Sequence, residues 1–320
     1  MLRAGLIGLG MMGKNHARIL ENLEGVELVG ICDSNSNLES FYRNVKVFVD
    51  LKDLISQGID YAVVAVPTTL HFQISKILSD SGIHALIEKP LSYDLESSEA
   101  ICKLFTENSL IGAVGHIERF NPAVIEAKKR MSQLGRILQV STIRQGPFSN
   151  RISDVGVVKD LATHDIDLVT WMTGSNYLKV FAHTSNKLGR KHEDMIVAIA
   201  RLNNGAIVNH VVNWVSPTKE RSISIVGENG MFKIDTLLGD LTFYENGETR
   251  TNWSEVATFR GVSEGNLLRY ALHKVEPLLV EHQNFRDAVL GRKHNSVSLQ
   301  EGCNALRVAD EMLRDDYQMG

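Results

Sequence analysis

The 320-residue sequence is poor in the features that mark several classes of protein. Its three cysteines, Cys32, Cys102 and Cys303, are too few and too widely spaced for a disulfide framework or a metal site. No run of 18 apolar residues occurs, and glycines interrupt the apolar N-terminal stretch that could resemble a signal peptide. We therefore expect free thiols, no metal, no membrane association and a cytoplasmic location.

Neither sign of charge dominates the sequence. Thirty-four Lys and Arg residues stand against 38 Asp and Glu residues, for a net charge of -4, and no basic stripe is present. This balance disfavours a general nucleic-acid-binding protein. The hydrophobic content of 43% and the charged content of 22% are those of a globular chain long enough for two domains. We expect a small molecule as the partner.

The first 117 residues alternate short apolar runs with amphipathic stretches. The apolar runs are residues 2–8, 26–32, 61–66, 84–87 and 110–114. Helical periodicity is found in residues 11–22, 51–57, 71–79 and 95–108. Such alternation is typical of a parallel sheet covered by helices on both faces. We predict an α/β Rossmann domain with a doubly wound parallel sheet in residues 1–117.

The pattern changes from residue 118 onward. Strand-like runs now predominate, at residues 137–144, 177–184, 195–202, 206–215, 221–226 and 231–235, with helices at 122–133, 159–172, 277–290 and 299–314. Asn203–Gly205 and Glu228–Gly230 are typical hairpin turns. We predict an α+β domain over residues 118–320 with a mostly antiparallel open sheet. Helices cover only one face of such a sheet. The other face can be buried against a second copy of the chain, which favours a homodimer or homotetramer.

A glycine fingerprint follows the first predicted strand and opens the first helix. Gly8, Gly10 and Gly13 form G-x-G-x-x-G around Met11 and Met12, a pattern that allows a tight turn, close approach of a pyrophosphate and close packing of helix on sheet. Asp33 ends the second predicted strand 20 residues after Gly13, where a carboxylate binds the ribose hydroxyls of a dinucleotide. The alternative for Asp33 is a surface turn.

The residues after Asp33 indicate which of the two nicotinamide cofactors is bound. Asp33 and Ser34 are followed by no arginine that could bind a 2′-phosphate, so NAD is favoured over NADP. Ligands of a parallel sheet bind beyond the carboxyl ends of its strands. The turns after the next two strands therefore supply further candidate cofactor residues: Pro67, Thr68, His71, Glu88 and Lys89.

Asp160 and His164 lie four residues apart on a predicted helix and so share one face. Taken alone, the two could be a structural ion pair. Three other motifs accompany this segment: the glycine fingerprint, Glu88–Pro90 and Gly115–Pro122. The order and spacing of the four motifs resemble those of the Gfo/Idh/MocA oxidoreductases over nearly the whole chain. Within that family, the motifs are most similar to those of bacterial UDP-N-acetylglucosamine 3-dehydrogenases. Two departures from the wider family, a single glycine at Gly156 and a glutamate at Glu118, put generic sugar or inositol substrates in doubt.

The resemblance implies an NAD(P)-dependent dehydrogenase acting on a CH–OH group of a sugar, with Lys89, Asp160 and His164 as the catalytic group. His164 is a natural general base, Lys89 would stabilise a developing alkoxide, and Asp160 would orient one of them. Either Lys89 or His164 could take the proton. Further substrate-binding candidates precede the second domain's first helix: His116, Glu118, Arg119 and Asn121. Asn121 could instead cap that helix.

The resemblance favours oxidation of a ring hydroxyl at C3 of a UDP-N-acetylhexosamine. An inositol or free-sugar dehydrogenase is the first alternative. The family also contains NAD-dependent glycosidases and a non-catalytic NAD-binding regulator, so these remain further alternatives.

Overall fold

The computed structural model describes residues 1–35, 45–148, 155–247 and 263–314. Within these ranges the chain forms two compact units. The first contains Met1–Ile117 and Glu276–Arg307, and the second contains Glu118–Val275 and the residues from Val308 onward. The predicted second domain includes residues 276–307, which the structure instead packs with the first unit.

The first unit is built on one parallel sheet. Its strands are β1 (Leu2–Ile7), β2 (Val26–Cys32), β3 (Lys46–Phe48), β4 (Tyr61–Val64), β5 (His84–Glu88) and β6 (Gly112–Gly115). They lie in the order β3-β2-β1-β4-β5-β6, and every pair is parallel. Because the order runs outward in both directions from β1, the predicted doubly wound Rossmann sheet is confirmed. The three-residue strand β3 is not predicted from the sequence.

Helices cover both faces of this sheet. They are α1 (Met11–Leu20), α2 (Leu51–Ile55), α3 (His71–Asp80), α4 (Leu95–Glu107), α7 (Pro277–Val289) and α8 (Leu299–Arg314). Asp50 and Asp94 begin α2 and α4 by accepting hydrogen bonds from the amides of Lys52 and Ser97.

Apolar side chains explain why the segment Glu276–Arg307 returns to the first sheet. Phe285 of α7 packs edge-on against Tyr61 of β4, with ring centroids 5.4 Å apart. Leu299 and Cys303 of α8 are buried in the core on the sheet's other face. An amphipathic stripe read from sequence does not reveal which sheet it will cover.

The second unit contains an eight-stranded sheet among the described residues. Its strands are β7 (Ile137–Pro147), β8 (Tyr177–Ser185), β9 (Met195–Leu202), β10 (Ile207–Asn213), β11 (Val215–Gly227), β12 (Gly230–Asp235), β13 (Asp240–Gly247) and β14 (Ser263–Arg269). They lie in the order β14-β13-β12-β11-β7-β10-β9-β8. Only the pair β7–β10 is parallel in this part of the described chain, so the predicted mostly antiparallel sheet is confirmed. Strands β13 and β14 are not predicted from the sequence.

The second sheet hides one face and exposes the other. Two helices of this unit, α5 (Pro122–Arg130) and α6 (Thr163–Thr173), pack on it. Along β9, Ile196 and Ala198 are buried, whereas Val197 and Ile199 are 47% and 57% exposed.

In the ranges described above, no helix combines the length and the apolar character needed to cross a bilayer.

Candidate active site

The three fingerprint glycines have three different environments. Gly8 has a φ of 92°, and a Cβ there would lie 2.5 Å from the Ala65 carbonyl oxygen. A Cβ on Gly13 would lie 2.0 Å from the Gly8 carbonyl oxygen. Gly10, by contrast, has no atom within 4 Å of an added Cβ. The backbone is therefore open at Gly10, where a phosphate group needs to approach.

The N-terminus of α1 offers amide groups to an anion. Gly10 is the residue that precedes the helix, no side chain caps it, and the first turn carries no acidic residue. Such a helix end attracts negative charge through its unbonded amides and its dipole. Met11 is 59% exposed at this end, next to the partly buried Met12.

Asp33 lies beside the fingerprint turn. Its Oδ2 accepts a hydrogen bond of 2.6 Å from the Leu9 amide, and its Oδ1 accepts one of 2.9 Å from the Asn35 amide. A carboxylate has about four lone-pair sites, so these bonds leave acceptor capacity for a ribose diol. Ser34 is exposed next to it. The residues of this edge thus offer acceptor groups that suit the ribose of a dinucleotide.

The turns that follow β4 and β5 are joined by a buried histidine. His71 is 1% exposed; its Nδ1 lies 3.0 Å from the Pro90 carbonyl oxygen and its Nε2 lies 3.0 Å from that of Val66. Burial lowers the pKa of His71, against the opposing effect of these carbonyl groups. Pro67 is exposed and Thr68 is buried in the same turn. A direct contact of these residues with a cofactor stays a prediction.

Glu88 ends β5, and both of its carboxylate oxygens have partners. Oε1 lies 2.8 Å from Nε2 of His16, and Oε2 accepts a hydrogen bond of 3.1 Å from the Lys89 amide. Burial opposes ionisation, but the hydrogen bond from His16 and nearby positive charge hold the pKa of Glu88 below its ordinary value. Lys89 itself is half-buried in the turn that follows. Glu88 therefore has a structural role, and its contact with a cofactor stays a prediction.

Asp160 and His164 lie on consecutive turns in the second unit. A π-helical turn, Val158–Ala162, carries Asp160 and runs directly into α6, which carries His164. Each of the two residues is 8% exposed. Short π-helical segments are concentrated at functional sites, where they redirect side chains.

A glutamate outside the predicted site anchors this helix. Glu193 accepts a bond of 3.1 Å from the Val158 amide with its side chain and one of 3.0 Å from the Val157 amide with its carbonyl oxygen. A Cβ on Gly156 would lie 2.0 Å from the Glu193 carboxylate. The single glycine before the helix is thus required for this cap. Nothing in the spacing of the sequence connects Glu193 to a helix more than 30 residues earlier.

A buried charge network lies under α6. Arg144 donates to Asp165 at 2.8 Å and to Glu118 at 2.9 Å, and Arg221 also reaches Glu118, at 3.1 Å. Burial raises the pKa of Asp165, against the opposing effect of Arg144. For Glu118 the charges of Arg144 and Arg221 outweigh burial and lower the pKa. Because Glu118 is committed to two arginines, its contact with a substrate stays a prediction.

Arg119 and Asn121 are also bonded inside the second unit. Arg119 is 4% exposed and binds Asp167 with two hydrogen bonds, of 2.7 and 2.5 Å. Asn121 caps α5 by accepting from the Ala123 amide and donates to the Thr236 carbonyl oxygen. His116, at the end of the first unit, is 2% exposed. Contacts of these three residues with a substrate stay predictions.

Both parts of the chain match one protein family. Residues 2–116 match an oxidoreductase family with an NAD-binding Rossmann fold, GFO_IDH_MocA, and residues 126–233 match the GFO/IDH/MocA C-terminal domain. The chain belongs to the GFO/IDH/MocA oxidoreductase family. It is thus an NAD-binding oxidoreductase, as the sequence motifs predict.

Several sugar and inositol dehydrogenases are similar to the chain. UDP-N-acetylglucosamine 3-dehydrogenase from Acidithiobacillus ferrooxidans is 28% identical over 91% of this chain and 90% of its own. A crystal form of that enzyme, GnnA, has a TM-score of 0.85 at 26% identity and covers 98% of this chain and 97% of its own. The scyllo-inositol 2-dehydrogenase (NAD(+)) of Bacillus subtilis is 26% identical over 74% of each chain.

A more distant structure shares the fold. The WlbA dehydrogenase from Bordetella pertussis, in complex with NADH and UDP-GlcNAcA, has a TM-score of 0.82 at 24% identity and covers 98% of this chain and 95% of its own. Among the residues that the structure of our chain describes, no cluster of three or more His, Cys, Asp or Glu is arranged to hold a metal ion.

Proposed function

We propose that the protein is an NAD-dependent dehydrogenase that oxidises C3 of a UDP-N-acetylhexosamine. The observation that carries the cofactor half is the open backbone at Gly10 before the uncapped helix α1, with Asp33 bonded to the same turn. The substrate half is supported by the similarity to a UDP-N-acetylglucosamine 3-dehydrogenase over 91% of the chain.

The cofactor would be held by residues at one edge of the first sheet. The amides at the start of α1 would bind the pyrophosphate, and Asp33 would bind the adenosine ribose. The negative charge of Asp33 would repel a 2′-phosphate, which favours NAD over NADP. When bound, the nicotinamide supplies the acceptor for the hydride that leaves the substrate carbon.

Three side chains of this protein would handle the substrate hydroxyl. Lys89 would donate a hydrogen bond to the oxygen and stabilise negative charge as it develops. His164 would accept the hydroxyl proton, with Lys89 as the alternative acceptor. Asp160, one turn before His164, would orient the base and balance positive charge. The cap of Glu193 on the same helix would hold these two residues in place.

A substrate panel tests the proposal directly. Purified protein is mixed with NAD or NADP and with UDP-sugars, free hexoses or inositols. The formation of reduced nicotinamide is measured by its absorbance. We expect reduction of NAD with a UDP-N-acetylhexosamine. Oxidation of an inositol alone would favour the second candidate, which the similarity to the scyllo-inositol 2-dehydrogenase supports. Release of sugar without reduced nicotinamide would indicate a glycosidase, and NAD binding without turnover of any sugar a regulator.

We also propose that the protein forms a homo-oligomer in the cytoplasm. Exposed apolar side chains on β8 and β9 include Leu178, Phe181, Val197 and Ile199, with 64%, 55%, 47% and 57% exposure. A face of this kind is costly in water and would be covered by the same face of a second copy, giving a dimer or, with a further contact, a tetramer. The three free cysteines favour the cytoplasm.

A further inference from the structure

Two buried histidines and the partly buried Glu88 form a hydrogen-bond chain that ends at the backbone of Lys89. His282 of α7 lies with its Nε2 2.8 Å from Nδ1 of His16 on α1, and Nε2 of His16 lies 2.8 Å from Glu88. Glu88 accepts the Lys89 amide on its other oxygen. His16 is fully buried, and His282 is 1% exposed. All these residues belong to the first unit.

The protonation states of the neighbours determine where the hydrogen atoms lie. The lowered pKa of Glu88 makes it a carboxylate, which can only accept. Nε2 of His16 must therefore carry the hydrogen that faces Glu88. Burial and the nearby His16 lower the pKa of His282, so that ring is neutral. Glu281, the other titratable residue near this chain on α7, is buried, and its raised pKa keeps it uncharged.

The chain of bonds joins three elements with separate tasks. The N-terminus of helix α1 belongs to the proposed cofactor site, and His16 lies on the second turn of this helix. Strand β5 ends at Glu88, and Lys89 follows directly after it. Helix α7 carries His282, which bonds to His16. A buried donor or acceptor that loses its partner is costly, so each bond resists being broken. The spacing between α1 and the backbone of Lys89 is thereby fixed.

We propose that His16 and His282 are positioning residues that act through Glu88 on Lys89. The inference rests on the proposed role of Lys89 at the substrate oxygen. A displacement of a catalytic group by about 1 Å can lower turnover on the order of 10²-fold, so a lost bond at Glu88 should appear in kcat. Neither histidine is expected to touch substrate.

Two amide substitutions at His16 provide a matched pair. In His16→Gln, the longer side chain can place an N–H near the position of Nε2 and retain the bond to Glu88. In His16→Asn, the shorter side chain reaches only the region of Nδ1 and leaves Glu88 without this donor. His84→Leu, at the opposite end of β5, removes a 2.9 Å bond from the Ile111 amide and serves as a control away from Lys89.

We expect His16→Asn to lower kcat about 30-fold or more, with the KM for sugar and the dissociation constant for NADH changed less than about 3-fold. His16→Gln should retain kcat within about 5-fold, and His84→Leu should retain it as well. In the cofactor-free protein, amide hydrogen exchange of the Lys89 segment should accelerate in His16→Asn and not in His16→Gln.

Hydrogen exchange separates this inference from the proposed function, because it needs no substrate. If His16→Asn exchanges the Lys89 amide at the wild-type rate, the positioning role is wrong even where a sugar is oxidised. Equal loss of kcat and of NADH binding in both amide variants would show a general structural role and would also overturn it. If no sugar is oxidised by the wild-type protein, the exchange difference between the two variants still decides the outcome.

Discussion

The Asp33 carboxylate is bonded to the Leu9 amide, which lies within the fingerprint turn. The end of β2 and the turn after β1 are therefore fixed to each other by a bond of 2.6 Å. A ligand that approaches the open backbone at Gly10 meets a carboxylate already held in place. Orientation before binding reduces the entropy lost when a ribose is captured.

The first prediction separates the charge of Asp33 from its bond to Leu9. In Asp33→Asn the side-chain oxygen can still accept from Leu9, but the negative charge is absent. We expect NAD to bind about 10-fold more weakly and NADP to bind no worse than before, because repulsion of the 2′-phosphate is removed. Titration of NADH and NADPH fluorescence measures both affinities. Asp80→Asn, an exposed partner of Lys76, is the control. An unchanged NAD-to-NADP preference in Asp33→Asn would contradict the cofactor assignment.

The second prediction concerns Lys89 and His164. Each change to alanine should lower kcat about 10²-fold or more, since a positioned proton acceptor or charge is lost. In His164→Ala the affinity for NADH should change little, because His164 is not a candidate cofactor residue. Lys103→Ala, an exposed lysine that pairs with Glu107 on α4, should turn over as wild type does. Near-normal turnover in either active-site variant would remove that residue from the mechanism.

Some parts of this fold could be predicted from the sequence because a local signal specifies them. The glycine fingerprint and the apolar runs of the first sheet are local, so its doubly wound order was predictable. Strand β3 is only three residues long, and β14 contains both glycine and charged residues, so neither has a clear alternating pattern. The location of α7 and α8 depends on which sheet their apolar stripes cover, a tertiary choice.

The candidate substrate residues show the same limit. Arg119 looks like an available cation in the sequence, but the structure buries it against Asp167, 48 residues later. His16 and Glu193 carry no motif of their own, yet the one bonds to Glu88 and the other caps the helix of Asp160. Long-range pairing of polar groups is set by packing and not by spacing along the chain.

The third prediction tests the structural role of Arg119. In Arg119→Met, Asp167 is left as an unpaired buried carboxylate, which should cost about 3–5 kcal/mol of unfolding free energy. The double variant Arg119→Met with Asp167→Leu should recover much of this loss, because no charge remains buried. Urea unfolding measures the free energies. A raised KM with unchanged stability in the single variant would instead indicate that Arg119 contacts the substrate.

The fourth prediction concerns the exposed face of the second sheet. Ile199→Glu places a charge amid the apolar side chains of β9 and should convert an oligomer into monomers. Light scattering coupled to gel filtration measures the mass. Val49→Glu, at an exposed apolar position of the first unit, should leave the mass unchanged. A wild-type monomer, or an oligomer that persists in Ile199→Glu, would contradict the interface.

The last prediction follows from His210, which is fully buried on β10. Its Nδ1 lies 2.7 Å from the Thr142 hydroxyl and its Nε2 lies 2.9 Å from the Tyr177 hydroxyl. Hydroxyl groups can donate or accept, so the neutral ring is satisfied in either tautomer. Burial lowers the pKa of His210 from 6.5 to about 4.

The sign of the pH effect follows from proton uptake. As pH falls through 6.5, the unfolded imidazole binds a proton while the folded one does not, so the folded state loses stability until about pH 4. The full loss corresponds to about 3 kcal/mol. In His210→Gln, which keeps hydrogen-bonding groups but cannot titrate, the unfolding free energy should fall less steeply across this window. Urea unfolding at several pH values measures both slopes; parallel curves would show that folding does not lower the pKa of His210.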